Sequence, residues 1–328
     1  MKYWPYSLRS RGSLNAVSQR REFHGALIKV NEGVGCIHPW PEFGDSPVDE
    51  QIKILRAGGT SRVIERALHM AAVDGDARRR GVSLFEGLEI PPSHYSWDQN
   101  QSSEAQMQRV TDEGWRAVKT KGWGNVSEVL RWLDDRSVDF SPPSADSLRA
   151  EVGAPFWRMD FNSCLTETQL NDLMTRMPEH LRSTLDFVED PFPYNAEGWT
   201  HTQRTHGIRL ALDKQLRDAN AGFDVAVLKP GRREWRELVG ELPPHVRIVM
   251  TSAMDHAIGQ TFAAYEAALA WKELGLRMDL CGLCTEHLFE KDAFFERICS
   301  HGGNLEVDRS GTGLGFDAVI ANLPWQKL

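Results

Sequence analysis

The sequence predicts an α/β protein in which a (β/α) barrel follows a smaller α+β cap domain. From about residue 92, short β-rich runs alternate with helical stretches, which is typical of a barrel of parallel strands. Several of these runs end in a charged residue, at the position where barrel strands carry active-site side chains. The first 90 or so residues lack this repeating pattern, so we expect them to form a separate unit.

The cap is predicted from a strand, a loop and two helical segments. HGALIKV (24–30) has the composition of a strand, and VGCIHPWPEFGDSP (34–47) that of an irregular loop. Apolar residues then recur at helical spacing, with Asp49 or Thr60 as candidate N-caps. The glycine-rich C-terminal stretch is expected to rejoin this unit. We therefore predict a cap of residues 1–91, completed by 302–328, and a barrel of 92–301.

The barrel is predicted from eight strand-like runs with helical stretches between them. The runs are SHYSW, RAVKTKG, FWRMDFN, LDFVED, IRLALD, VAVLKP, VRIVMTS and RMDLCGL. The helical stretches are SEAQMQRVTDEG, VSEVLRWLDD, ETQLNDLMTRM, WRELVGEL and residues 257–273. The carboxyl ends of parallel barrel strands meet on one face, so residues far apart in sequence are expected to surround one cavity.

Composition and charge argue against several classes of protein function. The formal net charge of −8 argues against general binding to nucleic acid or to anionic membranes. No apolar run reaches the length of about 18 residues that a membrane helix needs, and the N-terminus lacks the apolar core of a signal peptide. The five cysteines, with one CxxC and no second ligand pair, indicate free thiols rather than a zinc site. We expect a cytoplasmic protein whose oligomeric state, monomer or homo-oligomer, the sequence leaves open.

Five polar residues at the ends of apolar runs are the candidate catalytic and metal-binding residues. They are Lys121, Asp160, Glu189, Asp213 and Lys229. Three acids on one barrel rim would repel each other unless a cation joins them, and Mg²⁺ prefers carboxylate oxygens. A lysine near a divalent cation has a lowered pKa and can remove a proton from carbon. The alternative is that the lysines are ion-pair partners of the acids.

With these motifs the chain resembles the enolase superfamily, on its muconate-lactonising side, and within it the o-succinylbenzoate synthases. The resemblance covers nearly the whole length. It rests on Lys119-Thr120-Lys121, Arg158-Met159-Asp160-Phe161-Asn162, Glu189-Asp190-Pro191, Asp213-Lys214, Lys229-Pro230, Gly311-Thr312-Gly313-Leu314-Gly315, and the N-terminal loop His38-Pro39-Trp40-Pro41 through Gly44-Asp45. It implies a modified TIM barrel, (β/α)7β, under an α+β cap.

The resemblance also implies roles for individual residues. Asp160, Glu189 and Asp213 would hold Mg²⁺, with Mn²⁺ as a possible substitute. Lys121 would remove the proton α to a carboxylate and return it to the leaving hydroxide, and Lys229 would stabilise the enediolate from the opposite face. The implied substrate-binding residues are Lys119, Arg158, Asn162, Ser252 and Gly282.

The implied activity is that of a metal-dependent hydro-lyase in menaquinone biosynthesis. It is the syn dehydration of 2-succinyl-6-hydroxy-2,4-cyclohexadiene-1-carboxylate, a small-molecule carboxylate, to o-succinylbenzoate. The alternative is an N-succinylamino acid racemase or dipeptide epimerase that uses both lysines in proton transfer. The chain departs from the family pattern in a longer stretch before Asp160, where residues 132–146 are expected to form an extra surface loop.

Overall fold

The computed structural model describes residues 1–14, 18–137 and 155–328, and they form an antiparallel sheet with two helices and a parallel barrel with surrounding helices. The antiparallel sheet has the strand order β13-β1-β2-β3. Its strands are β1 (Lys2–Arg9), β2 (Glu22–Val30), β3 (Gly33–Ile37) and the C-terminal β13 (Gln326–Lys327). The C-terminus therefore pairs with the first strand of the chain.

Two helices pack on this sheet, α1 (Val48–Arg56) and α2 (Arg62–Arg80). Helix α2 lies so close to β3 that a Cβ at Gly35 would come within 1.9 Å of the Ala67 carbonyl oxygen, so only glycine fits there. The expected caps were wrong. Ser61 caps α2 by accepting a hydrogen bond from the Ile64 amide, and Asp49 lies inside the first turn of α1.

The predicted loop over residues 34–47 was wrong in its first part. Its first residues belong to β3, which pairs antiparallel with β2 along the register from Ala26–Ile37 to Val30–Gly33. The loop proper follows β3 and contains a 3₁₀ turn at Pro41–Phe43. Strand β1 was not anticipated, because its aromatic and polar residues do not alternate clearly in the sequence.

The barrel was predicted correctly in its strands. Seven parallel strands follow each other around the sheet in chain order. They are β4 (Tyr95–Ser96), β5 (Ala117–Lys121), β6 (Phe156–Asp160), β7 (Leu185–Glu189), β8 (Leu210–Leu212), β9 (Val225–Leu228) and β10 (Arg247–Met250). The eighth run contributes residues 278–282, which bridge β10 on one side and Ser93 on the other. This segment closes the ring and gives the modified (β/α)7β barrel.

The helices around the barrel are α3 (Ser103–Asp112), α4 (Val126–Ser137), α5 (Glu167–Arg176), α6 (Glu179–Arg182), α7 (Ala196–His206), α8 (Trp235–Glu241) and α9 (Ala257–Leu274). Two of them, the single turn α6 after α5 and the helix α7 that follows β7, were not predicted. Helix α7 was missed, because AEGWTHTQRTH has few apolar residues to show a helical period. Between β8 and β9 the described chain forms only a 3₁₀ turn, Leu216–Asp218, because the connection is short.

The C-terminal stretch returns from the barrel to the antiparallel sheet. It forms a hairpin, β11 (Cys299–His301) with β12 (Asn304–Glu306), and a short helix α10 (Asp317–Ala321) before β13. The glycine-rich turn docks on α2, where the Leu314 amide donates to Asp74 Oδ1 at 2.7 Å.

The domain boundaries at 91/92 and 301/302 stay predictions. The expected loop at 132–146 begins inside α4, and from residue 138 it lies outside the described residues.

None of the described helices is both long and apolar enough to cross a membrane.

A buried acid lies where the antiparallel sheet meets the barrel. Asp255 precedes α9 and is only 4% exposed, and its Oδ1 has no hydrogen-bond partner among the described residues. Burial raises the pKa of this carboxyl to about 7, and the charge of Arg232 opposes the rise only in part. The Asp255 carboxyl is therefore mostly protonated in the folded protein below about pH 7.

Replacing Asp255 by asparagine should flatten the pH dependence of stability. A carboxyl whose folded pKa exceeds its unfolded pKa destabilises the fold progressively as the pH rises from the unfolded value to the folded one. The free energy of unfolding of the parent should therefore fall by roughly 2–3 kcal/mol, relative to Asp255→Asn, between pH 5 and pH 8. Urea unfolding of both proteins across this range measures the difference. Parallel curves would contradict the assignment.

Candidate active site

Five neighbouring strands each carry one of the five predicted charged residues at or just after their carboxyl ends. In sheet order from β5 to β9 they are Lys121, Asp160, Glu189, Asp213 and Lys229. Direct register partners are Lys121 with Asp160, and Asp160 with Glu189. The three acids thus form a row with one lysine beyond each end, because parallel strands in consecutive order bring these positions side by side.

A cavity of about 420 Å³ opens over this row. Its lining includes both end lysines, two of the acids and several other sequence-predicted residues: Lys119, Lys121, Asp160, Asn162, Asp213, Lys229, Ser252 and Gly282. A cavity of this size accommodates a small organic molecule.

Lysines neutralise the acids at the β5 side of the row. Lys119 Nζ lies 2.6 Å from Glu189 Oε2 and 3.0 Å from Asp160 Oδ2, and Lys121 Nζ lies 2.5 Å from the same Asp160 oxygen. Lys119 and Lys121 share one face of β5 because side chains alternate along a strand. At the β9 side, Lys229 forms an ion pair with Asp213.

These contacts set the protonation of the row. Burial opposes ionisation of Asp160, but Lys119 and Lys121 outweigh it and hold its pKa well below the usual range. Burial and the charge of Asp160 raise the pKa of Glu189 to about 7. Burial lowers the pKa of Lys229, but the Asp213 charge more than compensates, so that pKa is raised. The sequence analysis expected a lowered lysine pKa beside a bound divalent cation. That expectation applies to the metal-bound site and stays a prediction.

The donor set suits a hard cation, although the side chains are not arranged as a ready cage. Among the described residues, no three His, Cys, Asp or Glu side chains converge on a common metal position. The reason is local, because the Lys119 and Lys121 ammonium groups lie against the carboxylate oxygens of Asp160 and Glu189. Burial and the charges of Asp160 and Asp213 raise the pKa of Glu189, which lies between them. The three carboxylates nevertheless provide the oxygen ligands that Mg²⁺ prefers.

Two of the predicted substrate-binding residues on the other strands have their polar groups engaged within the protein. Ser252 Oγ lies 2.7 Å from Thr285 Oγ1, and the Gly282 amide donates to the Met250 carbonyl at 2.8 Å. Asn162 Oδ1, at the lysine side, accepts from Lys121 Nζ at 3.4 Å.

Arg158 lies inside the barrel. It is fully buried and is not among the described residues that line the cavity. Its guanidinium pairs with Asp186 at 2.8 Å and Asp279 at 3.3 Å, and it lies over the Phe187 ring at 4.7 Å. These acids hold the Arg158 side chain inside the barrel, and its binding of substrate stays a prediction.

His94 was not predicted as a site residue. It precedes β4, lines the cavity and accepts a hydrogen bond from Arg158 Nη1 to its Nδ1 at 2.9 Å. His94 belongs to no metal-ligand motif of the HxH or HExxH kind. Its position at the start of the strand-like run SHYSW gave no signal of an active-site role, because active-site residues are expected at the carboxyl ends of barrel strands.

Loop and rim residues complete the mouth of the cavity. Trp40 is buried and its indole Nε1 donates to the Ala253 carbonyl at 3.1 Å, whereas Phe43 is 45% exposed. Trp40 therefore packs on the barrel, and Phe43 lies at the opening. Arg62 and Arg233 line the cavity too, so its rim is positively charged.

Comparison with known proteins finds a family model that matches the N-terminal part and a relative that matches the whole chain. A family model described as the O-succinylbenzoate synthase N-terminal domain matches residues 1–77. The o-succinylbenzoate synthase of Bdellovibrio bacteriovorus is 28% identical over 341 residues, covering 100% of this chain and 98% of that protein. The chain is similar to the o-succinylbenzoate synthases of the enolase superfamily.

Solved structures with the same fold share little sequence with this chain. A dipeptide epimerase from Methylococcus capsulatus, complexed with Mg and the dipeptide L-Arg-D-Lys, has a TM-score of 0.71 at 18% identity over 95% of this chain and 97% of that chain. The muconate lactonizing enzyme from Pseudomonas putida has a TM-score of 0.68 at 13% identity over 98% and 99%. At identities this low the likeness is one of fold alone.

Proposed function

We propose that this protein is an o-succinylbenzoate synthase. It dehydrates 2-succinyl-6-hydroxy-2,4-cyclohexadiene-1-carboxylate to o-succinylbenzoate, a step of menaquinone biosynthesis. The observation that carries the proposal is the full-length similarity to an o-succinylbenzoate synthase in a chain that also presents lysines and acids around one cavity. Because the product is aromatic, the elimination is strongly downhill, and the enzyme has only to lower the barrier to proton removal.

The lysines divide the proton chemistry between them. Lys121 removes the proton α to the ring carboxylate and delivers it to the departing hydroxide on the same face, which makes the elimination syn. Lys229 lies at the other end of the acid row, where its ammonium charge stabilises the enediolate that forms. Lys119 holds Asp160 and Glu189 in place by direct ion pairs.

Asp160, Glu189 and Asp213 would hold Mg²⁺, for which Mn²⁺ is an accepted substitute in oxygen-rich sites. When bound, the metal supplies Lewis-acid stabilisation of the charge that develops on the substrate carboxylate. Asn162 holds the Asp160 carboxylate from the other side, because its backbone N–H donates to Asp160 Oδ1 at 3.0 Å.

We also propose a cytoplasmic enzyme whose partner is a small dicarboxylate rather than nucleic acid or a membrane. The five cysteines are free thiols in the structure, which agrees with a reducing compartment. The acidic net charge of −8 agrees with the absence of a nucleic-acid partner.

A spectrophotometric assay tests the proposal. Purified protein should convert the cyclohexadiene substrate into the aromatic product when Mg²⁺ is present, and EDTA should abolish this turnover until Mg²⁺ is restored in excess. Turnover that is indifferent to EDTA would contradict the metal assignment. No turnover by folded, Mg²⁺-loaded protein would refute the synthase assignment.

The arrangement of the lysines favours one second candidate. Lys121 and Lys229 lie at opposite ends of the acid row, which also suits epimerisation of N-succinylamino acids or dipeptides by proton exchange at two faces. Deuterium uptake from D₂O into both enantiomers of a succinylated amino acid, in the absence of cyclohexadiene turnover, would favour this candidate over dehydration.

A further inference from the structure

The cavity wall has two chemically different arcs. Strands β5 to β9 present the lysines and acids. The remaining arc is formed by β4 with the residue before it, the end of β10 and the closing segment, and it presents His94, Ser96, Thr251, Ser252 and Gly282. None of these side chains carries a charge when His94 is neutral. A substrate with two separated carboxylates would place one on each arc, and the second arc would have to offer it hydrogen-bond donors.

The Ser252 hydroxyl already donates its hydrogen to another protein atom, the hydroxyl oxygen of Thr285. Gln260 Nε2 donates to the Asp255 carbonyl at 2.8 Å, so Gln260 Oε1 is the acceptor for the Thr285 hydroxyl at 3.0 Å. Because Thr285 uses its hydrogen in this way, Ser252 must be the donor in the 2.7 Å contact between the two hydroxyls. Ser252 therefore faces the cavity as an acceptor, which does not suit a carboxylate.

The Gly282 amide also donates to a protein atom, the Met250 carbonyl oxygen, at 2.8 Å. On this arc the imidazole of His94 is left as a nitrogen donor, beside the hydroxyls of Thr251 and Ser96, which also line the cavity. The His94 Nε2 makes no hydrogen bond to a protein atom in the described part of the chain.

Arg158 fixes which nitrogen of His94 carries the proton. A guanidinium has only N–H donors, so His94 Nδ1, 2.9 Å from Arg158 Nη1, must be the acceptor. Burial, together with the charges of Arg158, Lys119 and Lys121, holds the pKa of His94 well below its usual range, so the ring is neutral at pH 7. A neutral imidazole that accepts at Nδ1 carries its hydrogen on Nε2.

The position of the ring is fixed equally well. The His94 amide donates to the Cys281 carbonyl at 2.8 Å, and the ring lies against Gly282. A Cβ on Gly282 would come within 2.8 Å of His94 Cε1 and 2.9 Å of Nε2. Glycine at this position leaves the space that the His94 ring occupies.

We propose that His94 is the specificity-determining donor for the acyl-chain carboxylate of the substrate, and that Arg158 is its positioning residue. The His94 Nε2–H donates to the carboxylate that lies away from the acid row. This inference rests on the proposed function for the substrate class, but the ring geometry that carries it does not depend on turnover.

The first test is the tautomer. Long-range ¹H–¹⁵N NMR correlations of histidine-labelled protein, assigned with His94→Phe, should show a neutral ring protonated on Nε2 at pH 7. Arg158→Lys should retain this state, because an ammonium is also only a donor, and Arg158→Met should lose the Nε2 preference. A ring protonated on Nδ1 or on both nitrogens in the parent would overturn the proposal, whatever the enzyme's activity.

The second test is ligand selectivity, measured by calorimetry on the Mg²⁺-loaded protein. The ligands are o-succinylbenzoate and 2-butanoylbenzoate, in which a methyl group replaces the terminal carboxylate. His94→Phe should weaken binding of o-succinylbenzoate by roughly tenfold to hundredfold, the scale of a lost hydrogen bond to a charged group, and leave 2-butanoylbenzoate unchanged. His94→Gln, whose amide nitrogen can replace Nε2, should bind better than His94→Asn, the matched variant with a shorter reach.

Gly282→Ala is an independent probe, because its methyl group would displace the His94 ring while every polar group is kept. It should show the same loss confined to o-succinylbenzoate, and its thermal unfolding reports whether the fold is retained. Equal weakening of both ligands by His94→Phe would overturn the proposal. Selective binding without any dehydration would refute the synthase assignment while keeping the role of His94.

Discussion

Replacing Lys121 by alanine should lower turnover of the cyclohexadiene dicarboxylate by about 10²- to 10⁴-fold, the contribution expected of a general acid–base group. The loss should appear in kcat, because Lys121 acts on the α-proton rather than on the carboxylates that anchor the substrate. The fold should survive, since Asp160 keeps its ion pair with Lys119 at 3.0 Å.

Lys272→Ala is the matched control, because Lys272 is an exposed lysine on the barrel helix α9. It should retain parent activity and parent thermal unfolding. Stopped-flow or steady-state absorbance of the aromatic product gives kcat for all three proteins. A fully active Lys121→Ala variant would refute the role of Lys121 as the base.

Replacing Glu189 by glutamine should weaken Mg²⁺ binding strongly and lower turnover by roughly 10³-fold or more, because the metal supplies several kcal/mol of transition-state stabilisation. Glu189 lies on β7, the middle strand of the five, with Asp160 on one neighbouring strand and the Asp213 segment on the other. Removing its charge therefore takes away the central ligand of the proposed set.

The same substitution should leave stability unchanged or raise it. Burial and the charge of Asp160 raise the pKa of Glu189 to about 7, so an ionised side chain is unfavourable there even with Lys119 beside it. Calorimetric titration with Mg²⁺ and thermal unfolding in EDTA measure the two effects separately. Unaltered Mg²⁺ affinity in a folded Glu189→Gln variant would contradict the metal assignment. Glu237→Gln, at an exposed position of α8 that does not line the cavity, is the control.

The positions of the five charged residues could be predicted from the sequence because each follows an apolar run. A buried parallel strand requires such a run, and the charge at its end is tolerated only where the strand reaches the cavity. Strand order in the barrel then follows chain order, so Lys121, Asp160 and Glu189 could be placed side by side without coordinates.

Other parts of the fold lacked a signal of this kind. Helix α7 has a polar sequence whose position is set by packing, and its Trp199 is fully buried. Strand β3 is five residues long and owes its conformation to pairing with β2 and to the close approach of α2 at Gly35. Such contacts join residues that are distant in sequence, so local patterns could not reveal them.

The contacts of Arg158 could not be predicted for a similar reason. Its spacing of two from Asp160 places both side chains on the same face of β6. Whether Arg158 reaches substrate depends on Asp186 and Asp279, which come from other strands and pull the guanidinium inside the barrel. The side chain that does reach the cavity is His94, through a contact that the sequence does not display.

Three lysines face three carboxylates around the acid row, and this balance has a consequence for how the protein is made. Lys119, Lys121 and Lys229 neutralise Asp160, Glu189 and Asp213 with groups that the chain itself supplies. A nascent chain can therefore bury its carboxylates without waiting for a divalent ion, and its folding yield should not follow the Mg²⁺ concentration of the cell. Metal loading becomes a separate, later event that exchanges one set of counter-ions for another.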